Sequence, residues 1–335
     1  MAKNHMTSDK NNKNPGEIQE LVIFGETTTK EIEKKETVSL EYVDQEDKVK
    51  LVNELKPLGA SYRYSLLLMN QSLAPIIEVK IRIRFPDFLI LCRTNPPTVI
   101  LDSANVEEGE QQVRIQFSKL EANSKKQINL YLTPKNLEEK GEIRSYVTFI
   151  NNADFVRALD SDPVILQFDP ITIERKILPS SEISKFSKNP KIKKAMKSIG
   201  VGNNRKLDLG LYFNQILYVL ESLNFQLITK DNDRKIAWFF GTELVSGYDI
   251  LIVGQIMYGK IEWIASSFNP QLNIALLTRC FNDFKRIMLM KGLIDSKDQI
   301  YNLECKHCGN ILSRFPKKGE PIECKNCNYD QIVWK

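Results

Sequence analysis

Two cysteine pairs near the end of the chain constrain its fold more than any other feature. Residues 304–328 read ECKHCGNILSRFPKKGEPIECKNCN. Cys305 and Cys308 form one CxxC, Cys324 and Cys327 form another, and fifteen residues separate the pairs. Two tight turns that each present two thiolates make the donor set of a tetrahedral zinc site. Gly309, Asn326 and Asn328 supply turn residues around the ligands. Short strands are predicted at 311–315 and 320–322 about a Lys317-Lys318-Gly319 turn, the pattern of a zinc ribbon. Four protein thiolates close the coordination shell, so one structural Zn2+ is expected, without zinc chemistry. His307 reads as a surface residue; three cysteines with this histidine are the alternative set. So small a patch has little apolar core, and the metal is expected to supply most of its folding free energy.

The remaining cysteines, Cys92 and Cys280, stand singly in apolar runs and read as buried free thiols. Nothing resembles a disulfide framework, which predicts a reducing, cytoplasmic setting, at most peripheral to membranes. No stretch is long and apolar enough to span a bilayer. The first residues lack the apolar core of a signal peptide, and 1–20 reads as a disordered polar tail.

At 335 residues, two or three domains are expected. Charge is placed unevenly. Residues 175–206 hold ten lysines and arginines against one acid, Glu182, a net +9; the rest of the chain stands at −4 against a total of +5. This segment, 171–206, reads as a basic linker. Asn189-Pro190 is expected to open a short helix with Ile192, Met196 and Ile199 on one stripe and Gly200 at its end. Lys188, Lys191, Lys193, Lys194 and Lys197 are the candidates for contact with an anionic surface.

Ahead of the linker, 21–170 is punctuated by turns and alternates with period two. In 77–84, Ile77, Val79, Ile81 and Ile83 are expected on one face and Glu78, Lys80, Arg82 and Arg84 on the other. A series of such strands predicts an all-β immunoglobulin-like sandwich. It carries no catalytic constellation. Behind the linker, 207–298 changes period. An amphipathic helix at 209–224 precedes three strand runs at 236–244, 249–258 and 260–268, and Asn269 caps a second long helix. The expected unit is a small α+β platform of helix, three-strand antiparallel meander and helix, followed by the ribbon at 299–335.

This plan resembles the adaptin and coatomer appendage domains. The run IAWFFGTELVSGYDILIVGQI at 236–256 is similar to the platform strands of the coatomer gamma-subunit appendage. Residues 260–285 resemble the last strand and helix of an adaptin platform, and NQSLAPIIEVKIRIRFPDFLILC at 70–92 resembles an appendage strand pair. The resemblance implies a non-enzymatic adaptor that captures short peptide motifs of partner proteins in membrane trafficking. Trp238, Phe240 and Trp263 are the candidate anchors of a peptide site, with Tyr258 and Lys260 at its rim. The alternative is a nucleic-acid-binding zinc-ribbon protein that uses the basic segment. It ranks second because the ribbon's side chains, four thiolates and one zinc sum to zero charge. His5 and His307 are the only histidines, and no paired carboxylates are marked out, so no enzyme and no small-molecule substrate are expected.

Overall fold

A computed structural model describes residues 48–97, 100–102, 108–135, 137, 140–202 and 209–335. The expected tail, 1–20, and the start of the expected sandwich, 21–47, lie outside the described residues. Ten strands come first: β1 (Val49–Leu58), β2 (Ser61–Asn70), β3 (Ile76–Pro86), β4 (Leu89–Asn95), β5 (Ile100–Asp102), β6 (Glu110–Leu120), β7 (Ser124–Pro134), β8 (Lys140–Ile150), β9 (Val156–Asp160) and β10 (Val164–Gln167). They form two antiparallel sheets, in the orders β1-β2-β7-β4 and β10-β8-β3-β6-β5, with β9 also on β8.

Period-two sequence gives each strand one apolar face, and those faces pack against each other. Tyr64, Leu66 and Leu68 of β2, Ile128, Leu130 and Leu132 of β7, and Val79, Ile81 and Ile83 of β3 are buried in one cluster that joins both sheets. One expectation fails here. Ile77 is exposed, and Ile76 takes its inward place. The register against β8 shifts between Ile77 and Lys80, and Glu78 has a φ of 48°. This bulge advances the chain by one residue and flips the face of everything before it.

The rest of the chain builds a third sheet. Its elements are β11 (Ile173–Arg175), α1 (Ile183–Lys188), β12 (Lys193–Val201), α2 (Leu209–Ser222), β13 (Gln226–Asp231), β14 (Ile236–Glu243), β15 (Asp249–Met257), β16 (Lys260–Ser267), α3 (Pro270–Met290), β17 (Ile300–Asn302), β18 (Pro321–Glu323) and β19 (Asp330–Ile332). The sheet order is β11-β14-β15-β16-β12-β17, with β13 beside β14, and β18 pairs with β19 in the ribbon. The expected meander is β14-β15-β16. Helices α2 and α3 cover one face, where Phe213, Ile216 and Leu220 of α2 and Leu276, Cys280 and Phe284 of α3 meet Phe239, Ile252 and Trp263. Asn269 caps α3, accepting from the backbone N–H of Gln271 at 2.9 Å.

The segment read as a linker departs from its expectation. Residues 193–201 are a strand between β16 and β17, not a helix. Ala195 and Ile199 are buried on the helix-covered face, and the intervening lysines conceal that alternation in the sequence. The α-helix described in this stretch, α1, lies ahead of Asn189-Pro190, not behind it.

The ribbon closes over the other face of β12, on glycines. A Cβ on Gly200 would stand 2.1 Å from the Phe315 ring, and one on Gly202 would stand 2.5 Å from Tyr301. The bare backbone there lets three rings pile up. Phe315 stacks on Trp334 at 5.6 Å and on Tyr301 at 6.1 Å. Gly200→Ala is therefore expected to push Phe315 outward and cost about 1–3 kcal/mol. Urea unfolding followed by tryptophan fluorescence measures this, and an unchanged midpoint would contradict the packing.

Candidate metal centre and its surroundings

The two CxxC turns are built alike. In the first, Gly309 donates its N–H to the Cys305 carbonyl at 2.8 Å; in the second, Asn328 donates to the Cys324 carbonyl at 2.8 Å. Both closing residues are left-handed, Gly309 at φ 78° and Asn328 at φ 54°, the region that glycine and asparagine enter most readily. Gln331 ties the turns together, accepting from the Lys306 N–H at 2.8 Å and donating to the Glu304 carbonyl at 3.2 Å. These contacts converge the four thiols, whose sulfurs lie within 4.8 Å of one another.

The donor set fits a metal. All four cysteines are free, with Cys305 and Cys324 buried and Cys308 and Cys327 half-buried. The Cys305–Cys327 sulfurs are 3.6 Å apart and the Cys308–Cys324 sulfurs 3.5 Å. A tetrahedral ion with metal–sulfur bonds of about 2.3 Å sets its sulfurs about 3.8 Å apart. These two pairs already stand close to that spacing. Burial raises the Cys308 thiol, but N–H and neighbouring side-chain contacts outweigh it and hold it at about 6. Burial together with the adjacent thiols pushes Cys327 up to about 12. Such a cluster shares protons until a cation displaces them. His307 stands outside it, exposed, and stacks on Tyr329 at 5.7 Å.

The expected aromatic anchors do not form one patch. Trp238 pairs with Val253 and Trp263 with Gly254, so the two indoles lie on opposite faces of the sheet. Trp263 is 0% exposed beneath α3, edge-on to Phe284 at 5.1 Å. Phe240 is buried on the other face, capped by Phe186 of α1 at 5.4 Å. Trp238 is half-buried and Tyr258 exposed. Lys260 is not a rim residue. It is buried and ion-paired with Glu262 at 2.7 Å, and its ammonium also donates to the Leu312 carbonyl of the ribbon at 3.1 Å. Gln255 donates to the second Glu262 oxygen at 2.7 Å, and Ser198 to the first at 3.3 Å. A satisfied polar ladder thus crosses β15, β16 and β12 under the ribbon.

The basic candidates also separate. Lys188, Lys191, Lys193 and Lys194 are exposed, whereas Lys197 is buried with its ammonium 4.8 Å from the Phe281 ring centre. Strand alternation turns Lys197 inward. No helix among the described residues is long and apolar enough to cross a membrane.

Sequence reasoning missed a cleft of about 560 Å³ where the first unit, the third sheet and the ribbon meet. Leu58, Ala60, Met196, Ile264 and Ile311 give it an apolar lining, and Arg93, Lys194 and Glu304 add charge. No spacing signals it, because segments far apart in the chain assemble it. Cys92 lines it too, with a thiol that burial raises and that lies 3.2 Å from the Thr133 hydroxyl.

No protein-family model and no curated protein matches the chain. Among solved structures it is similar to the major pilin SpaD of Corynebacterium diphtheriae, with 10% identity, a TM-score of 0.31, and 46% of this chain and 42% of that one covered. It is also similar to BcpA, the major pilin subunit of Bacillus cereus, with 10% identity, a TM-score of 0.25, and 64% and 66% covered. A third is the sporulation control protein Spo0M of Bacillus subtilis, with 10% identity, a TM-score of 0.20, and 63% and 74% covered. The chain spans less than two thirds of either pilin's length. At these TM-scores the likenesses carry no argument about fold or function. The appendage resemblance is corrected: the structures found similar are bacterial pilin subunits and other proteins, with no adaptin or coatomer appendage reported among them. The third sheet also has β12 and β17 beside the expected meander.

Proposed function

We propose that this chain is a non-enzymatic interaction protein, with a structural zinc ribbon that locks an immunoglobulin-like sandwich to an α+β unit and a cleft at their junction that captures peptide segments of partner proteins. The observation that carries this reading is the cluster of four thiols within 4.8 Å of one another, docked by its aromatic stack onto the third sheet. A shell of four protein ligands has no open position for a reacting water, which favours a structural ion, and thiolate ligands in this geometry favour zinc. The junction cleft replaces Trp238, Phe240 and Trp263 as the capture site. Its volume is in the range of known ligand sites and its floor is apolar.

The test uses the full chain and a Met196→Arg variant that fills the cleft, as baits side by side, with metal content measured in both. About one zinc per chain is expected in each. Bound partner peptides are expected on the wild type and not on the variant. Absence of zinc, or equal capture by both baits, overturns the proposal.

A further inference from the structure

Among the described residues, Arg93 forms no ion pair. It lies on β4, directly opposite Tyr131 of β7, and its guanidinium carbon is 3.4 Å from the centre of the Tyr131 ring. Across the interface it meets the first metal-binding turn. A Cβ on Gly309 would stand 2.7 Å from both Nε and Nη2 of Arg93. The guanidinium is therefore held between a π face of the first unit and the backbone of the turn that ends in Cys308. Glu304 lines the same cleft, and no ion pair within 4.0 Å joins it to Arg93 among the described residues. With one aromatic contact and, among the described residues, no carboxylate paired to it, this half-buried cation is incompletely compensated.

The missing anion has a natural source. Four thiolates around one divalent cation leave two net negative charges, and the turn that Arg93 touches carries one of the thiolates. We infer that Arg93 is a counter-charge to the metal–thiolate cluster of the ribbon, and that through it the sandwich is docked according to the ribbon's metal state. This rests on the metal reading of the four cysteines. Arginine suits the position because its planar cation can lie flat between a ring and a peptide plane, whereas an ammonium cannot. The glycine at 309 is required twice, by its φ of 78° and by the approach of the guanidinium.

The test loads full-length protein with zinc and follows transfer of the metal to excess 4-(2-pyridylazo)resorcinol. Arg93→Gln keeps the length and removes the charge. It is expected to release zinc about tenfold faster, the lower end for loss of a partner surrounding a metal's ligands. Arg93→Lys, which keeps the charge, is expected to recover part of that difference. Amide exchange in 304–311 reads docking separately and is expected to speed up in Arg93→Gln with zinc still bound. Equal release and equal exchange in wild type and Arg93→Gln overturn the inference, as does an Arg93→Lys protein as fast as Arg93→Gln. A wild type without zinc instead removes the metal reading itself, so the two failures are distinct.

Discussion

Truncating Trp263 to alanine is expected to destabilise the third-sheet unit by about 3–5 kcal/mol, as removal of a buried large aromatic does. The indole is fully buried, faces Phe284 edge-on and lies among Phe239, Ile261 and Leu276 in the main cluster. One feature tempers the figure: its Nε1–H is buried without a hydrogen-bond partner, and an unmet donor of this kind costs about 1–3 kcal/mol. Trp263→Phe keeps most of the packing and removes that donor, so it is expected to be much milder than Trp263→Ala. Urea denaturation read by far-ultraviolet circular dichroism separates them. A loss below about 1 kcal/mol in Trp263→Ala would mean the ring is not in the core.

Lys260→Met should produce a comparable loss, about 3–5 kcal/mol, for a different reason. Both partners of the Lys260–Glu262 pair are about nine-tenths buried, and the ammonium also holds the Leu312 carbonyl. Removing one partner leaves the other charge in a low-dielectric site, with Gln255 and Ser198 as its remaining donors. Replacing both residues with methionine removes the charge along with its partner, and the double variant is expected to regain most of the lost stability. A thermodynamic cycle over the four proteins measures the coupling. Additive losses would show that the pair does not act as a unit.

The parts of this architecture that were legible in the sequence are those encoded locally. The cysteine turns were readable because ligand spacing and left-handed turn residues fall within a few positions of each other. The helix cap at Asn269 and the meander's hairpins are short-range for the same reason. What failed depended on strand register, within the hairpins as well as between distant strands. The face a tryptophan takes follows from its partner's phase, and nothing in 236–268 says that Trp238 meets Val253 while Trp263 meets Gly254. The stripe of Ile192, Met196 and Ile199 fitted a helix equally well, because β12's partners, β16 and β17, come much later in the chain. The appendage resemblance rested on apolar strand runs, which any sheet covered by helices on one face requires.

The position of β12 has a consequence for how the chain is made. Lys193 pairs with Ser267, and Ile199 with both Ile261 and Asn302, so this strand has no partner when it leaves the ribosome. At synthesis rates of about 5–20 residues per second it waits several seconds before β16 arrives. An unpaired apolar strand is an invitation to aggregate over such an interval. The lysines at 188, 191, 193, 194 and 197, which make the segment look like a solvated tether, would act during that wait as gatekeepers, keeping nascent copies apart by repulsion. Lys197 loses its water once the sheet closes and ends buried, with its ammonium against the Phe281 ring.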